Sequence, residues 1–150
     1  MSNERLPQGG KRRGKLEFSK KWETKPYGAL DLGTNNCRLL IAKPVGSGFR
    51  VTASFSRIVR LGEGLATNQY LSEAAMVRAL DALLICSGKL HEQGVVQLRS
   101  IATEACRRAS NCNKFFDRIE CKTGLIFETI SIEEEARLAM VGCQSLLTED

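Results

Sequence analysis

The sequence has little of what several common kinds of functional site require. It contains one histidine, His91, and its six cysteines include no C-x-x-C pair, which argues against a zinc site or a catalytic disulfide. No apolar run approaches the roughly 18 residues of a membrane-spanning helix, and no apolar segment of a secretory signal follows the basic N-terminus. These absences predict a cytoplasmic protein with no membrane contact, whose cysteines are free and mostly buried thiols.

The excess of positive charge is confined to the N-terminus. The formal net charge is +5, and residues 1–25 alone hold eight basic and three acidic side chains. The other 125 residues hold 14 of each sign and are neutral by formal count. Because Gln8–Lys15 offers no apolar side chain to bury, residues 1–25 are predicted to form a disordered basic tail. A solvated extension is the favoured interpretation, and loose contact with RNA or another polyanion through charge alone is the alternative.

Residues 26–150 have the size and composition of one domain, with a three-strand meander predicted first. Apolar runs begin at Tyr27 and Cys37, and a run that alternates apolar and polar residues begins at Gly48. Glycine- and asparagine-containing turns separate the runs. Ser72 then precedes apolar residues at the three- and four-residue spacing of a helix, which Gly94 ends.

After this helix a strand is predicted over residues 95–101, short helices over residues 103–109 and 113–122, and a second strand over Leu125–Ile130. Ser131 begins the last helix, which runs to about Cys143. The element order is therefore βββαβααβα. A meander followed by β-α-β crossovers predicts an α/β fold, in which a mixed sheet carries helices on its faces.

The first motif with a chemical interpretation is D-L-G-T-N-N at Asp31–Asn36. A carboxylate ends a buried strand, and the turn after it aims backbone N–H groups into one concavity, which suits phosphate oxygens. Asp31 could hold a magnesium ion beside that phosphate. An ordinary hairpin turn explains the same residues, and spacing alone favours that simpler interpretation.

Two further motifs allow a chemical and a structural interpretation each. Glu133–Glu135 follow Ser131 in the first turn of a helix, where one carboxylate could act as a general base, although helix capping explains most of the pattern. Arg107 and Arg108 lie on a short helix after a strand. Arg107 could bind phosphate with its planar guanidinium, or both arginines could be solvated.

Four segments together resemble the N-terminal domain of the exopolyphosphatase / guanosine-pentaphosphate phosphatase (Ppx/GppA) family. They are D-L-G-T-N-N-C-R-L-L-I-A, V-R-L-G-E-G-L, A-T-E-A-C-R-R-A-S-N and I-S-I-E-E-E-A-R-L-A, in this order across residues 26–146. The resemblance implies an actin-like, ribonuclease-H-like lobe over residues 26–150. It also implies magnesium or another divalent cation, and hydrolysis of terminal phosphoanhydrides in polyphosphate or guanosine pentaphosphate. It leaves a homodimer open for the full-length protein.

The resemblance also implies roles for individual residues. Glu135 matches the family's catalytic glutamate, which leaves Glu134 with the capping role. Arg107 matches an arginine that faces the substrate cleft, and it would bind substrate. The matched phosphate loop and the basic position after it comprise Asp31, which would bind the metal, and Gly33, Thr34, Asn35, Asn36 and Arg38, which would bind substrate.

Two departures from the family pattern qualify these expectations. Ile132 stands where many relatives have glycine, and the chain ends at Asp150, before the family's second phosphate loop. We therefore expect the chain to form one wall of a cleft, with the second lobe absent, and to be inactive by itself. The alternatives are the lobe of an actin-like acetate or sugar kinase, which the glutamates and the arginine helix disfavour, and a non-catalytic domain that binds polyphosphate or nucleotide.

Overall fold

The computed structural model describes residues 25–144. The predicted basic tail, apart from Lys25, lies outside the described residues, as do residues 145–150. Within residues 25–144, no helix combines the length and the apolar character that crossing a membrane requires.

Five strands form one mixed sheet in the order β3-β2-β1-β4-β5. The antiparallel part pairs β1 with β2 and β2 with β3, and in the parallel part β4 adds to β1 and β5 to β4. Because the carboxyl ends of parallel strands lie at one edge, the segments that follow β1, β4 and β5 meet there. The strands are β1 (Tyr27–Leu32), β2 (Asn36–Val45), β3 (Gly48–Ile58), β4 (Gln97–Ala102) and β5 (Glu128–Thr129).

Five helices accompany the sheet. They are α1 (Leu65–Asn68), α2 (Glu73–Glu92), α3 (Glu104–Arg108), α4 (Cys112–Thr123) and α5 (Ile132–Gln144). The mixed sheet with its helices confirms the predicted fold class.

The hydrophobic core lies between one face of the sheet and the long helices α2 and α4. Alternate residues of β1 and β2 point into it, as the two-residue period of a strand requires, and so become almost fully buried. Each such leucine contributes roughly 1.5–3 kcal/mol by leaving water. The largest buried side chains of this layer include Leu30, Leu32, Ile41, Leu83, Phe115 and Ile119.

The opposite face of the sheet is only partly covered. Ala29, Leu40 and Ile101 line a hollow of about 580 Å³ there, and Leu138 of α5 borders the same hollow. No residue of α5 is fully buried. The helices therefore lie on both sides of the sheet, but only one side has a closed core.

The structure adds one helix to the predicted order, which becomes βββααβααβα. Helix α1 is a single turn between two residues in the left-handed region, Gly64 (φ 76°) and Gln69 (φ 57°), and it buries only Leu65. Four residues are too few to show helical periodicity. The last strand, predicted over Leu125–Ile130, is also shorter, since only Glu128–Thr129 pair with β4.

Two details of the core follow the sequence closely. The Ser72 side chain caps α2 by accepting a hydrogen bond from the Ala75 N–H at 3.2 Å. The predicted apolar stripe of α2 comprises Met76, Ala79, Leu80, Leu83, Leu84 and Leu90. Four of these residues are buried and Met76 is partly buried, but Leu84 is half-exposed, so its assignment to the buried stripe is wrong. All six cysteines are free and four of them are buried, which confirms that prediction.

Candidate active site

The turn after β1 forms the floor of the site. Gly33 N–H donates to the Asn36 carbonyl at 2.8 Å, which closes a tight turn across Thr34 and Asn35. A Cβ at Gly33 would lie 3.4 Å from that carbonyl oxygen and 3.9 Å from Thr103 Oγ1. Both are ordinary van der Waals distances, so the start of the turn packs against β2 and the end of β4 without requiring glycine at this position. The predicted phosphate loop is a compact turn at the carboxyl edge of the sheet.

Glu135 reaches the same edge from the first turn of α5. The helix begins directly after the short strand β5, and Glu135 N–H makes its first i→i−4 hydrogen bond, to the Ser131 carbonyl at 3.0 Å. The Glu135 side chain is about half-exposed, at 45%. The order of the strands therefore brings Glu135 to a loop about 100 residues earlier in the chain.

One cleft contains nearly all of the predicted site residues. It has a volume of about 190 Å³ and is open to solvent. Most of its wall is polar, since strand ends and helix starts expose backbone groups and short polar side chains. The cleft is lined by Asp31, Gly33, Thr34, Asn35, Asn36, Arg38, Thr103, Glu104 and Glu135.

Asp31 and Arg38 lie side by side in the cleft. They are direct cross-strand partners in the antiparallel pairing of β1 and β2. Burial raises the pKa of the Asp31 carboxyl above its ordinary 3.8, while the nearby Arg38 guanidinium lowers it and the Glu135 carboxylate raises it again. Three carboxylates line the cleft, those of Asp31, Glu104 and Glu135, and an added cation would offset their negative charge.

Arg107 lies behind Glu135 and does not line the cleft. Its two terminal nitrogens both donate to Oε2 of Glu135 at 2.9 Å, and Nη1 also donates to the Ile130 carbonyl at 2.8 Å. No residue in the range 25–144 hydrogen-bonds to Oε1 of Glu135. The structure therefore places Arg107 against the predicted base, and the direct contact with substrate expected from the sequence stays a prediction.

Glu134, next in sequence, has entirely different partners. Its backbone N–H donates to Ser131 Oγ at 3.2 Å, which is half of the expected capping box. Its carboxylate does not complete the box but pairs with Arg137 at 2.7 Å and Arg99 at 3.2 Å. The hydrogen bonds from Arg137, above all, and then from Arg99 lower the pKa of Glu134 to about 2.

Thr103 and Glu104 line the cleft but were not singled out by the sequence. Thr103 is buried at the end of β4, and its N–H donates to the Leu32 carbonyl at 3.3 Å. Glu104 opens α3 and pairs with Arg108 at 3.2 Å. Their position directly after β4 was the available signal, because residues that follow neighbouring parallel strands converge at one edge.

The oxygen atoms of the cleft suit a magnesium ion that is bound partly by the protein and partly by the substrate phosphates. Magnesium prefers oxygen, keeps several waters, and is commonly held by one or two carboxylates together with substrate phosphates. Asp31 supplies one such carboxylate, and the cleft adds hydroxyl and amide oxygens. Among residues 25–144, no three acidic, histidine or cysteine side chains form a cluster that would hold a metal alone. The residues therefore fit a shared site but not a closed protein cage.

Comparison with known proteins identifies the family. The sequence profile described as the Ppx/GppA phosphatase family matches residues 40–150, which is most of the chain. This chain belongs to the Ppx/GppA phosphatase family. The match begins within β2, just after the turn at residues 33–36, and includes α3 and the three glutamates of α5.

Solved structures of Ppx/GppA proteins have the same fold. The family member of Aquifex aeolicus is 28% identical, with a TM-score of 0.75 over 79% of this chain and 39% of its own. An exopolyphosphatase from Cytophaga hutchinsonii is 34% identical, with a TM-score of 0.73 over 76% of this chain and 36% of its own. This chain thus spans less than two fifths of the length of these Ppx/GppA relatives.

Proposed function

We propose that this chain is the lobe of a phosphatase that supplies the general base and the first phosphate loop for hydrolysis of terminal phosphoanhydrides. One observation carries the proposal: Glu135 is held by the two terminal nitrogens of Arg107 on the rim of a cleft whose floor is the turn at residues 33–36. Family membership supports phosphatase chemistry, and the geometry supports separate roles for these residues in binding phosphate and in activating water.

The turn and Arg38 would bind the terminal phosphoryl group. Successive backbone N–H groups in a tight turn create a concavity that favours an anion. Thr34, Asn35 and Asn36 add side-chain donors, and Arg38 adds a positive charge at the cleft wall. Phosphoryl transfer depends mainly on positioning and on charge stabilisation, so donors fixed by the fold before substrate arrives are of most use.

Glu135 would orient and deprotonate the attacking water. Arg107 occupies Oε2, which leaves Oε1 as the oxygen with free lone pairs for a water molecule. The water oxygen forms the new bond to phosphorus and one water proton moves to Glu135. The bond from phosphorus to the bridging oxygen breaks, and its electron pair stays on that oxygen in the shortened leaving phosphate. General-base catalysis of this kind typically contributes about 10²–10⁴-fold.

Asp31 would hold magnesium together with the substrate phosphate. When bound, such an ion offsets negative charge on the phosphoryl oxygens. Asp31 has the position for this role because it is the second-last residue of β1, two positions before the turn at residues 33–36, and lines the cleft. The pKa of its carboxyl is raised mainly by burial, and the nearby Arg38 guanidinium opposes that rise.

The substrate class is a terminal phosphoanhydride, as in inorganic polyphosphate or guanosine pentaphosphate. The name of the similar Cytophaga protein supports polyphosphate, and the family name supports phosphate-ester or anhydride hydrolysis more broadly. Both substrates present the same terminal phosphoryl group to the turn and to Glu135. The proposed hydrolysis therefore does not depend on which of the two molecules carries that group.

A hybrid enzyme tests the proposal. Residues 25–144 would replace the matching lobe of the Cytophaga hutchinsonii exopolyphosphatase, and phosphate release would be measured with magnesium from polyphosphate and from guanosine pentaphosphate. Incubation with ATP and acetate or a sugar tests for kinase activity in the same preparation. We expect hydrolysis of at least one phosphoanhydride substrate and no phosphoryl transfer to an acceptor.

Arg107→Met and Arg108→Met form a matched pair in this hybrid. Arg108 is adjacent, and among residues 25–144 it pairs only with Glu104 of its own helix. We expect Arg107→Met to lower kcat by about 10–100-fold with little change in KM, since a misplaced base slows chemistry more than binding. Arg108→Met should have little effect. A folded hybrid in which both variants retain full kcat would contradict the proposed site.

A further inference from the structure

A second loop packs against the predicted phosphate loop, the turn at residues 33–36. This loop, Val59–Gly64, which we call the clamp loop, joins β3 to α1. Val59 N–H and Arg60 N–H donate to the Asn35 carbonyl at 2.7 and 3.0 Å, and Gly62 N–H donates to the Thr34 carbonyl at 3.0 Å. Both central carbonyls of the turn are therefore held by the clamp loop.

These hydrogen bonds determine which way the turn's N–H groups point. In a planar trans peptide, the carbonyl of one residue and the N–H of the next point in opposite directions. The peptide between Thr34 and Asn35 turns its carbonyl towards the clamp loop, so its N–H faces away from that loop. The same holds for the peptide between Asn35 and Asn36. The hydrogen bonds to the clamp loop therefore direct the N–H groups of Asn35 and Asn36 away from that loop.

Gly62 allows the close approach that these hydrogen bonds need. A Cβ at this position would overlap the Cγ2 methyl group of Thr34. The φ angle of Gly62 is not in the left-handed region, so the requirement is for space rather than for an unusual backbone conformation. By contrast, a Cβ at Gly88 in α2 would meet nothing within 4 Å.

Arg78 of α2 holds the clamp loop from its other side. Its Nε donates to the Val59 carbonyl at 2.9 Å, and its Nη2 donates to the Arg60 carbonyl at 3.3 Å and to Glu63 Oε2 at 2.6 Å. Arg60 is one of two non-glycine residues with positive φ (47°) among residues 25–144, a conformation that persists only where its surroundings hold it. Arg78 bonds to the carbonyl of that strained residue.

We propose that Gly62 and Arg78 are positioning residues for phosphate binding, acting through the clamp loop on the peptide groups of Thr34 and Asn35. Neither residue lines the cleft. The chain of contacts runs from the α2 guanidinium to the clamp loop carbonyls, and from the clamp loop N–H groups to the turn. The inference rests on the proposed function, because it assumes that the turn binds phosphate.

Titration of the ¹⁵N-labelled 150-residue chain with tripolyphosphate, followed by NMR, tests this role. The amide signals of residues 33–36 report binding and also report the environment of each N–H group in the free protein. The test variants are Arg78→Gln and Gly62→Ala. The controls are Arg118→Gln, whose arginine has similar exposure (36% against 39%) but pairs with Glu73, and Gly88→Ala.

We expect both test variants to weaken tripolyphosphate binding at least about tenfold and to shift the free-state amide signals of Asn35 and Asn36. The signals of the core and the affinity of both controls should stay as in the wild type. If Gly62→Ala does not fold, the result for Arg78→Gln alone tests the positioning role. This variant is expected to fold because Arg78 is partly exposed and lies outside the core.

Two other outcomes separate this inference from the proposed function. If tripolyphosphate shifts the turn amides equally in the wild type, Arg78→Gln and Arg118→Gln, the positioning role is wrong and phosphate binding stands. If the wild-type turn amides do not respond at all, phosphate binding by the turn is wrong, and the positioning role fails with it.

Discussion

Three consecutive glutamates in the first turn of α5 differ because the fold gives them different partners. Glu134 pairs with Arg99 and Arg137, and Glu135 pairs with Arg107. The pKa of Glu133 is lowered, mainly by its own backbone N–H and by Ser131. Of these three glutamates, only Glu135 lines the cleft. Carboxylates near a helix N-terminus are favourable in general, so the cleft rather than the helix distinguishes Glu135.

Glu135→Gln should abolish most turnover in the hybrid enzyme. The amide keeps the size and much of the hydrogen bonding of the carboxylate but cannot accept the proton of water. We expect kcat to fall by about 10²–10⁴-fold, with KM within a few-fold of the parent. The measurement is steady-state phosphate release from polyphosphate with magnesium.

Glu134→Gln is the matched control for that prediction. Its carboxylate is outside the cleft and its loss breaks exposed ion pairs, which typically contribute little. Turnover should stay within a few-fold of the parent. If Glu134→Gln removes activity and Glu135→Gln does not, the catalytic role has been assigned to the wrong neighbour.

Asp31→Asn should leave the chain at least as stable while weakening ligand binding. Because burial raises the pKa of Asp31 in the folded state, the stability linked to its protonation is complete below its unperturbed value of 3.8. That stability is lost as pH rises through the raised folded pKa. Asparagine does not ionise, so at about pH 7 the Tm should be unchanged or higher, and the difference should narrow towards about pH 4.

The same variant should bind magnesium and tripolyphosphate more weakly than the wild type, by about tenfold or more in an NMR or calorimetric titration. The stability prediction is tested by comparing the Tm of Asp31→Asn with that of the wild type between about pH 4 and pH 7. A Tm several degrees lower at about pH 7 would show that the ionised carboxylate stabilises the fold, contrary to this account.

At the scale of elements, one asparagine joins the start of α4 to the segment before α2. Asn111 Oδ1 accepts from the Leu71 N–H at 2.8 Å, and its Nδ2 donates to the Leu71 carbonyl at 3.0 Å. Ser110 adds two hydrogen bonds to the Gln69 carbonyl, at 2.9 Å from N–H and 3.0 Å from Oγ. These contacts connect α3, which carries Arg107, to the connection between α1 and α2.

Asn111→Ala should destabilise the chain by about 1–3 kcal/mol, because it leaves both backbone groups of Leu71 without their partner. That loss corresponds to a fall in Tm of roughly 4 °C or more for a domain of this size. Asn113→Ala is the control, since Asn113 is exposed on α4. Equal Tm values for the two variants would show that the Asn111 bridge contributes no stability.

At the scale of the whole molecule, the cleft is open on one side. Within residues 25–144 its walls come from the edge of one sheet, α3 and α5, and the chain spans 39% and 36% of the two solved relatives. Phosphoryl transfer needs charges gathered around the transferred group, and bulk water other than the attacking molecule kept out of the site. One wall would provide the proposed phosphate-binding turn and the proposed base, but it would not surround a phosphoryl group.

The purified 150-residue polypeptide should therefore have no measurable polyphosphatase activity while retaining weak phosphate binding. A dissociation constant in about the millimolar range is expected from a few donors on one wall, equivalent to roughly −4 kcal/mol. Phosphate release from polyphosphate with magnesium is compared with the Glu135→Ala variant. Turnover that depends on Glu135 would contradict this prediction and would indicate that two copies of the chain complete a site.

The sequence by itself determined the elements with strong local signals. Alternation in β3, the apolar stripe of α2 and the Ser72 cap each depend on neighbours within a few residues, so pattern alone located them. The family resemblance placed the turn at 33–36 and Glu135 in one site. The sequence prediction missed the single-turn helix α1 and made the two-residue strand β5 too long, because elements this short show no helical or strand periodicity.

Only the tertiary structure decided which of the charged residues act together. Arg107 and Arg108 are adjacent and chemically identical, yet one bonds to Glu135 across 28 residues and the other to Glu104 within its own helix. The contact of Gly62 with Thr34 likewise joins two loops that no sequence period connects. Strand order brings such groups together, and strand order depends on the packing of the whole sheet rather than on any local segment.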